Sequence, residues 1–123
     1  MSSPVLTNPT TGTPSQTGCS GASVTTDQDN GTLYWAFVTN GGSCTDAQLI
    51  AGSGGNILAV AHGSQSVANT GVQTIGIVNG LTPNTTYQIK FLHQNSLAEN
   101  SAQVSASLTT RPANILGQQV SIL

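Results

Sequence analysis

Two imidazoles, His62 and His93, and two thiols, Cys19 and Cys44, are the main groups this chain offers for chemistry. Six charged side chains complete the set: Lys90 and Arg111 against Asp27, Asp29, Asp46 and Glu99. Nucleophilic catalysis needs a nucleophile, a base and an orienting acid within hydrogen-bond reach. No serine sits in a G-x-S-x-G elbow. His62 lies at a Gly turn and His93 ends a strand-like run, so both read as loop-edge residues. Asp27 and Asp29 share one turn, whereas Asp46 and Glu99 fall in other loops, so no carboxylate pair is set for acid–base work. The run Asp27-x-Asp29-Asn30-Gly31 has the opening of a calcium loop but lacks the distal bidentate glutamate. Two cysteines fall short of the four ligands of a structural zinc site. No catalytic residue, metal ligand or cofactor is assigned, and the chain reads as non-enzymatic.

The elements that position these residues are built from an unusual composition. Of 123 residues, 5% are charged and the formal net charge is −2, where an ordinary soluble domain is about 25% charged. Thr, Ser, Asn and Gln take the place of the charges. Two cations cannot make the basic face that displaces counterions from a nucleic acid, nor a polybasic membrane site. No apolar run approaches the ~18–20 residues of a membrane-spanning helix. Met1-Ser2-Ser3-Pro4-Val5 has neither a basic segment nor an apolar stretch, so a cleaved export signal is not expected.

Frequent Val, Ile and Thr, punctuated by Gly, Asn and Pro, give a β pattern throughout. Val5 to Thr7 reads as a first strand and Asn8 to Gln16 as a loop. Gly18 to Thr26 reads as a second strand, with Ala22 and Val24 facing the core. A turn at 27–31 leads to Thr32–Thr39, apolar at both parities and so expected to be central and covered on both sides. Leu33, Trp35 and Phe37 are its inward set. Thr45 is a fitting N-cap and Gly52 a fitting stop for one or two helical turns. Ile57 to Ala61 and Ser64 to Val67 read as short strands around His62-Gly63, and Val72 to Val78 as a further strand. Thr85 to His93 places Tyr87, Ile89 and Phe91 on one face. After an exposed loop at 94–100, Gln103 to Thr109 follows with Val104, Ala106 and Leu108 in phase. About seven short strands with turns every 8–12 residues argue an all-β antiparallel sandwich. Leu81, Pro83 and Tyr87 have the pattern of a tyrosine corner, in which the phenol bonds back to the upstream backbone.

With that corner in place, residues 3–112 resemble a fibronectin type III domain of the immunoglobulin-like sandwiches. Pro4-Val5-Leu6, Ser23-Val24-Thr25, Leu81 to Tyr87 and Ser107-Leu108-Thr109-Thr110-Arg111-Pro112 carry the likeness. The tryptophan usual in the family's second strand is missing, and Trp35 stands in the third instead. A narrower resemblance lies in residues 25–34, in Ala47-Gln48-Leu49-Ile50-Ala51-Gly52 and in Gly63-Ser64-Gln65-Ser66-Val67. These look like modules of tailed-bacteriophage virion proteins that decorate capsids, tails and fibres. In a type III sandwich, the start of the second strand and the end of the third meet at one pole. The resemblance therefore makes Cys19 and Cys44 a candidate disulfide, worth about 3 kcal/mol if formed; two free thiols are the equal alternative.

The chain divides into a sandwich at 1–112 and an apolar C-terminal segment at 113–123. Ile115, Leu116, Val120, Ile122 and Leu123 need a surface to cover, either their own sandwich or a neighbouring subunit; docking on a neighbour is preferred. The resemblance implies a virion structural protein, made in the host cytoplasm and present in many copies against other virion proteins. Weak adhesion to host glycans is part of that expectation. The alternative is a carbohydrate- or receptor-binding module of a tail tip or fibre. Tyr34 and Trp35 are the candidate sugar-stacking aromatics, although both fall within a strand.

Overall fold

A computed structural model of the chain describes residues 3–112; the anchoring residues read at 115–123 lie outside the described residues. Nine strands and one short helix follow in order: β1 (Leu6–Thr10), β2 (Thr13–Pro14), β3 (Cys19–Ser20), β4 (Ser23–Thr26), β5 (Thr32–Thr39), α1 (Asp46–Ala51), β6 (Ile57–Ser66), β7 (Gly71–Thr74), β8 (Thr86–Gln94) and β9 (Val104–Thr109). All pairings are antiparallel. One sheet has the order β1-β4-β7 and the other β6-β5-β8-β9, with β2 and β3 as a small separate ladder. The fold is an all-β antiparallel sandwich, as the strand pattern predicts.

Alternation decides what lies between the sheets. Leu33 and Phe37 of β5, Ile89 and Phe91 of β8, and Leu108 of β9 face Leu6, Val24 and Ile75 in one buried cluster. Trp35 packs on this cluster half-buried, its ring edge-on to Phe37 at 6.3 Å. It stands opposite Gly63 in the register, and a Cβ there would lie 2.8 Å from the indole. The bare backbone of Gly63 thus makes room for the tryptophan. The opposite parity of β5 and β8 is also covered: Ala36 and Leu92 are buried under Leu49 of α1, with Tyr34, Cys44, Ile50 and Ile57 around them. This explains the doubly apolar reading of Thr32–Thr39. The helix is held by a full capping box, Gln48 N–H donating to Thr45 Oγ1 and Thr45 N–H to Gln48 Oε1, and it stops at Gly52 with φ 75°.

Several boundaries differ from the sequence expectation. The first strand runs to Thr10, into the stretch read as a loop. Gly18 to Thr26 is broken at Gly21, φ 80°, into β3 and β4, although Ala22 and Val24 are buried as expected. The two strands read around His62-Gly63 are one. Val38 pairs with Ile57 and Ala36 with His62, so residues 58–61 bulge opposite Phe37. The strand read at Val72–Val78 pairs regularly only to Thr74; beyond it, Ile75 N–H donates to Ala22 O and Val78 exchanges both backbone bonds with Cys19.

The tyrosine corner is present. Thr82 N–H donates to the Tyr87 hydroxyl at 3.0 Å, and Leu81 is buried. Thr110 locks the same end, donating from its hydroxyl to Thr82 O and accepting from Thr85 N–H. Arg111 N–H bonds Ser15 O and Leu81 N–H bonds Thr17 O, so the chain leaves the sandwich at this end. At the other end, Val5 N–H donates to Asp27 Oδ1 and Asn30 N–H to Val67 O.

Candidate functional site

That second end, the loop pole, gathers the chain's polar chemistry. Its foundation is His93, fully buried at the end of β8. The loop-edge reading of His93 is corrected here: position 93 shares the inward parity of Ile89 and Phe91, so the ring points into the sandwich. A carbonyl only accepts, so His93 Nε2 donates to Asn30 O at 2.7 Å. In the neutral ring the Thr26 hydroxyl then donates to Nδ1, also at 2.7 Å. Gln28 N–H in turn donates to Thr26 Oγ1. One imidazole thereby ties the end of β4 and the 27–31 turn to β8. The turn itself needs positive φ at Asn30 (65°) and Gly31 (78°), and a Cβ on Gly31 would lie 2.1 Å from Gln94 O.

Asn95 organises the second loop. Its Oδ1 accepts from Leu97 N–H and Glu99 N–H, and its Nδ2 donates to Glu99 Oε1 and Gln28 Oε1. This loop was expected to be exposed throughout, yet Asn95 is buried at its base. Single-sequence reading missed Asn95 because a lone asparagine in a polar run gives no signal of burial. Ala98 sits at φ 63°, and Leu97 is exposed at the tip.

Between the two loops lies an open depression of about 280 Å³, bordered by Asp27, Asp29, Asn95, Thr70, Ser96 and Leu97. It offers carboxylate and hydroxyl oxygens around one aliphatic side chain, with no cation on its rim. Such a lining suits hydrogen bonding to a neutral or hydroxyl-rich ligand. Asp27 Oδ1 is taken by Val5 N–H and Asp29 Oδ1 by Asn30 Nδ2. Among the described residues, no three or more His, Cys, Asp and Glu side chains converge as metal ligands.

His62 is not part of this site. It pairs with Ala36 on the outer parity of β6 and stands exposed over the end of α1, where a Cβ on Gly52 would lie 2.6 Å from its Nδ1. The two histidines therefore occupy opposite faces of the four-stranded sheet. Tyr34 and Trp35 are also placed elsewhere, one in the outer cluster and one against the core. Cys19 and Cys44 are free thiols, one of the two alternatives left open by the sequence. Cys19 is in the inter-sheet core, whereas Cys44, just ahead of the α1 N-cap, packs on the outer face of the other sheet, next to Gln103. Burial pushes both thiols above their ordinary pKa; at Cys44 Lys90 opposes this and Asp46 adds to it.

Comparison with protein-family models, curated proteins and solved structures finds no match.

Proposed function

We propose that the chain is a non-enzymatic structural module of a bacteriophage virion. Its fibronectin type III-like sandwich is fastened to the capsid or tail by residues 113–123, with the loop pole turned outward. The observation that carries this reading is the polarity of the molecule. The chain leaves toward its apolar segment at the Tyr87–Thr110 end, opposite the hydrogen-bonded loops around His93 and Asn95. The sheet orders β1-β4-β7 and β6-β5-β8-β9 and the tyrosine corner support the type III likeness. A nearly uncharged surface makes lattice attachment depend on apolar burial and backbone pairing, which salt does not screen. Many copies on one particle would multiply a weak contact.

The test is mass spectrometry and immunogold labelling of density-banded particles from a source lysate, followed by rebinding of added protein. Full-length protein is expected to co-sediment and a 1–112 truncation to stay in the supernatant. Co-sedimentation of the truncation at full strength, or absence of the protein from the particles, overturns the reading.

The depression favours a second reading, a carbohydrate- or receptor-binding module of a tail tip or fibre. Asp27, Asp29 and Ser96 around Leu97 present hydrogen-bonding groups beside an apolar surface. That reading expects a glycan-array signal from the isolated protein that Asp29→Ala abolishes.

A further inference from the structure

We propose that the free edge of β6 at residues 62–66 pairs with the same edge of a second copy of the chain, antiparallel, about a two-fold axis at Ser64. The inference is independent of the virion reading.

The two sheets end on β1, β7, β6 and β9. An edge strand carries a row of unpaired backbone N–H and C=O groups, a template for another strand unless it is guarded. Hydrogen-bonded pairs alternate along an antiparallel ladder, so one bond at the end of each ladder shows which residues face outward. Ile75 N–H donates to Ala22 O, which turns the backbone of Val72 and Thr74 in β7 outward. Thr74 O is then capped by the Gln65 side chain, Nε2 donating at 3.2 Å. Thr110 N–H donates to Thr85 O, which turns Ser105, Ser107 and Thr109 of β9 outward, and Ser107 O accepts from the Thr11 hydroxyl at 3.1 Å. β1 shifts register between Thr7 and Thr10, with Asn8 at φ 54°. The first half of β6 is guarded by its bulge at 58–61.

The second half of β6 has no such guard. Val67 N–H donates to Gly31 O, so Gln65 and Gly63 bond to β5 while the backbone groups of His62, Ser64 and Ser66 face out. All three residues are exposed, and no other described strand pairs with that edge. Residues 57–66 contain neither a charge nor a proline.

This edge matches itself. With Ser64 opposite the partner's Ser64, His62 stands opposite the partner's Ser66, and each such pair can exchange two backbone bonds. On the inner parity Gln65 stands opposite the partner's Gly63, whose missing side chain leaves room for the amide that reaches Thr74. Every charged side chain lies off β6, so no like charges meet across the axis, the usual penalty against self-pairing. One such edge per copy closes the pair as a dimer instead of a fibre. The paired stretch is short beside the ~1,000 Å² of a stable interface, so association is expected only at high concentration.

Sedimentation equilibrium of the full chain from about 10 μM to 1 mM tests this. The parent is expected to pass from monomer to dimer. Ser64→Lys and Ser64→Glu, each placing like charges face to face, should weaken dimerisation about tenfold, and an equal mixture of the two should restore it. Ser64 is exposed, so both variants keep the fold, monitored through Trp35 emission. A second readout needs no variant: amide exchange at His62, Ser64 and Ser66 should slow as concentration rises, while Val72 on the β7 edge is unchanged. A parent that stays monomeric, exchange independent of concentration, or a mixture no better than either variant alone overturns the proposal. A dimer that persists at full strength in both variants places the contact elsewhere and overturns it as well. No readout involves particles, so this inference and the virion reading fail separately.

Discussion

His93 shows how one side chain can hold a strand end and a turn together. Replacing it with Ala leaves the Asn30 carbonyl and the Thr26 hydroxyl without their buried partner and opens a cavity. A loss of about 2–4 kcal/mol is expected in urea unfolding, with faster amide exchange at residues 28–31. The thiols give a second outcome. Cys44 is expected to react with a disulfide reagent in the native protein, while the buried Cys19 stays silent until unfolding. Both have folded-state pKa values above 9.0. The folded state then holds its thiol protons more tightly than the unfolded chain above pH 9, so their stabilising effect is full below that pH and lost as pH climbs through the folded values. Urea midpoints measured from pH 8 upward should fall, and Cys19→Ala should flatten that fall.

Among the elements, α1 is short enough that its packing and caps must hold it. Gly52→Ala forces a side chain into a left-handed position and against His62. It should cost about 1–2 kcal/mol, read by thermal unfolding, and Thr45→Ala about 1 kcal/mol through the lost capping box. At the tyrosine corner, Tyr87→Phe leaves Thr82 N–H without its acceptor and should cost about 1 kcal/mol. These elements were legible because their signals are local. Thr45 and Gly52 mark a helix by capping chemistry, Leu81-Pro83-Tyr87 marks a corner by spacing, and Thr32–Thr39 marks a doubly covered strand by its unbroken apolar run. What escaped depends on contacts distant in sequence. His93 can be buried because the Asn30 carbonyl accepts from one ring nitrogen and the Thr26 hydroxyl donates to the other, from 63 and 67 residues away. The bulge at 58–61 arises from register with β5, which a single strand does not encode. The type III likeness sets both thiols at one pole, but the approach to α1 puts Cys44 on the outer face, a placement that depends on the packing of Leu49 against Ala36 and Leu92.

Across the molecule, the two sheets and the overlying helix make three layers, with β5 and β8 buried on both sides. Leu49→Ala uncovers Ala36 and Leu92 without touching the inter-sheet core. It should cost about 2–4 kcal/mol and raise binding of a hydrophobic dye, with the near-ultraviolet signal of Trp35 largely kept. The backbone enters beside Asp27 and leaves beside Ser15, at opposite ends of the sandwich. Tension applied between those two points would run lengthwise along β1 and β9. It would drag each against its hydrogen-bonded neighbour all at once, rather than peeling bonds open one by one. Such a body resists mechanical unravelling although few charges hold it together.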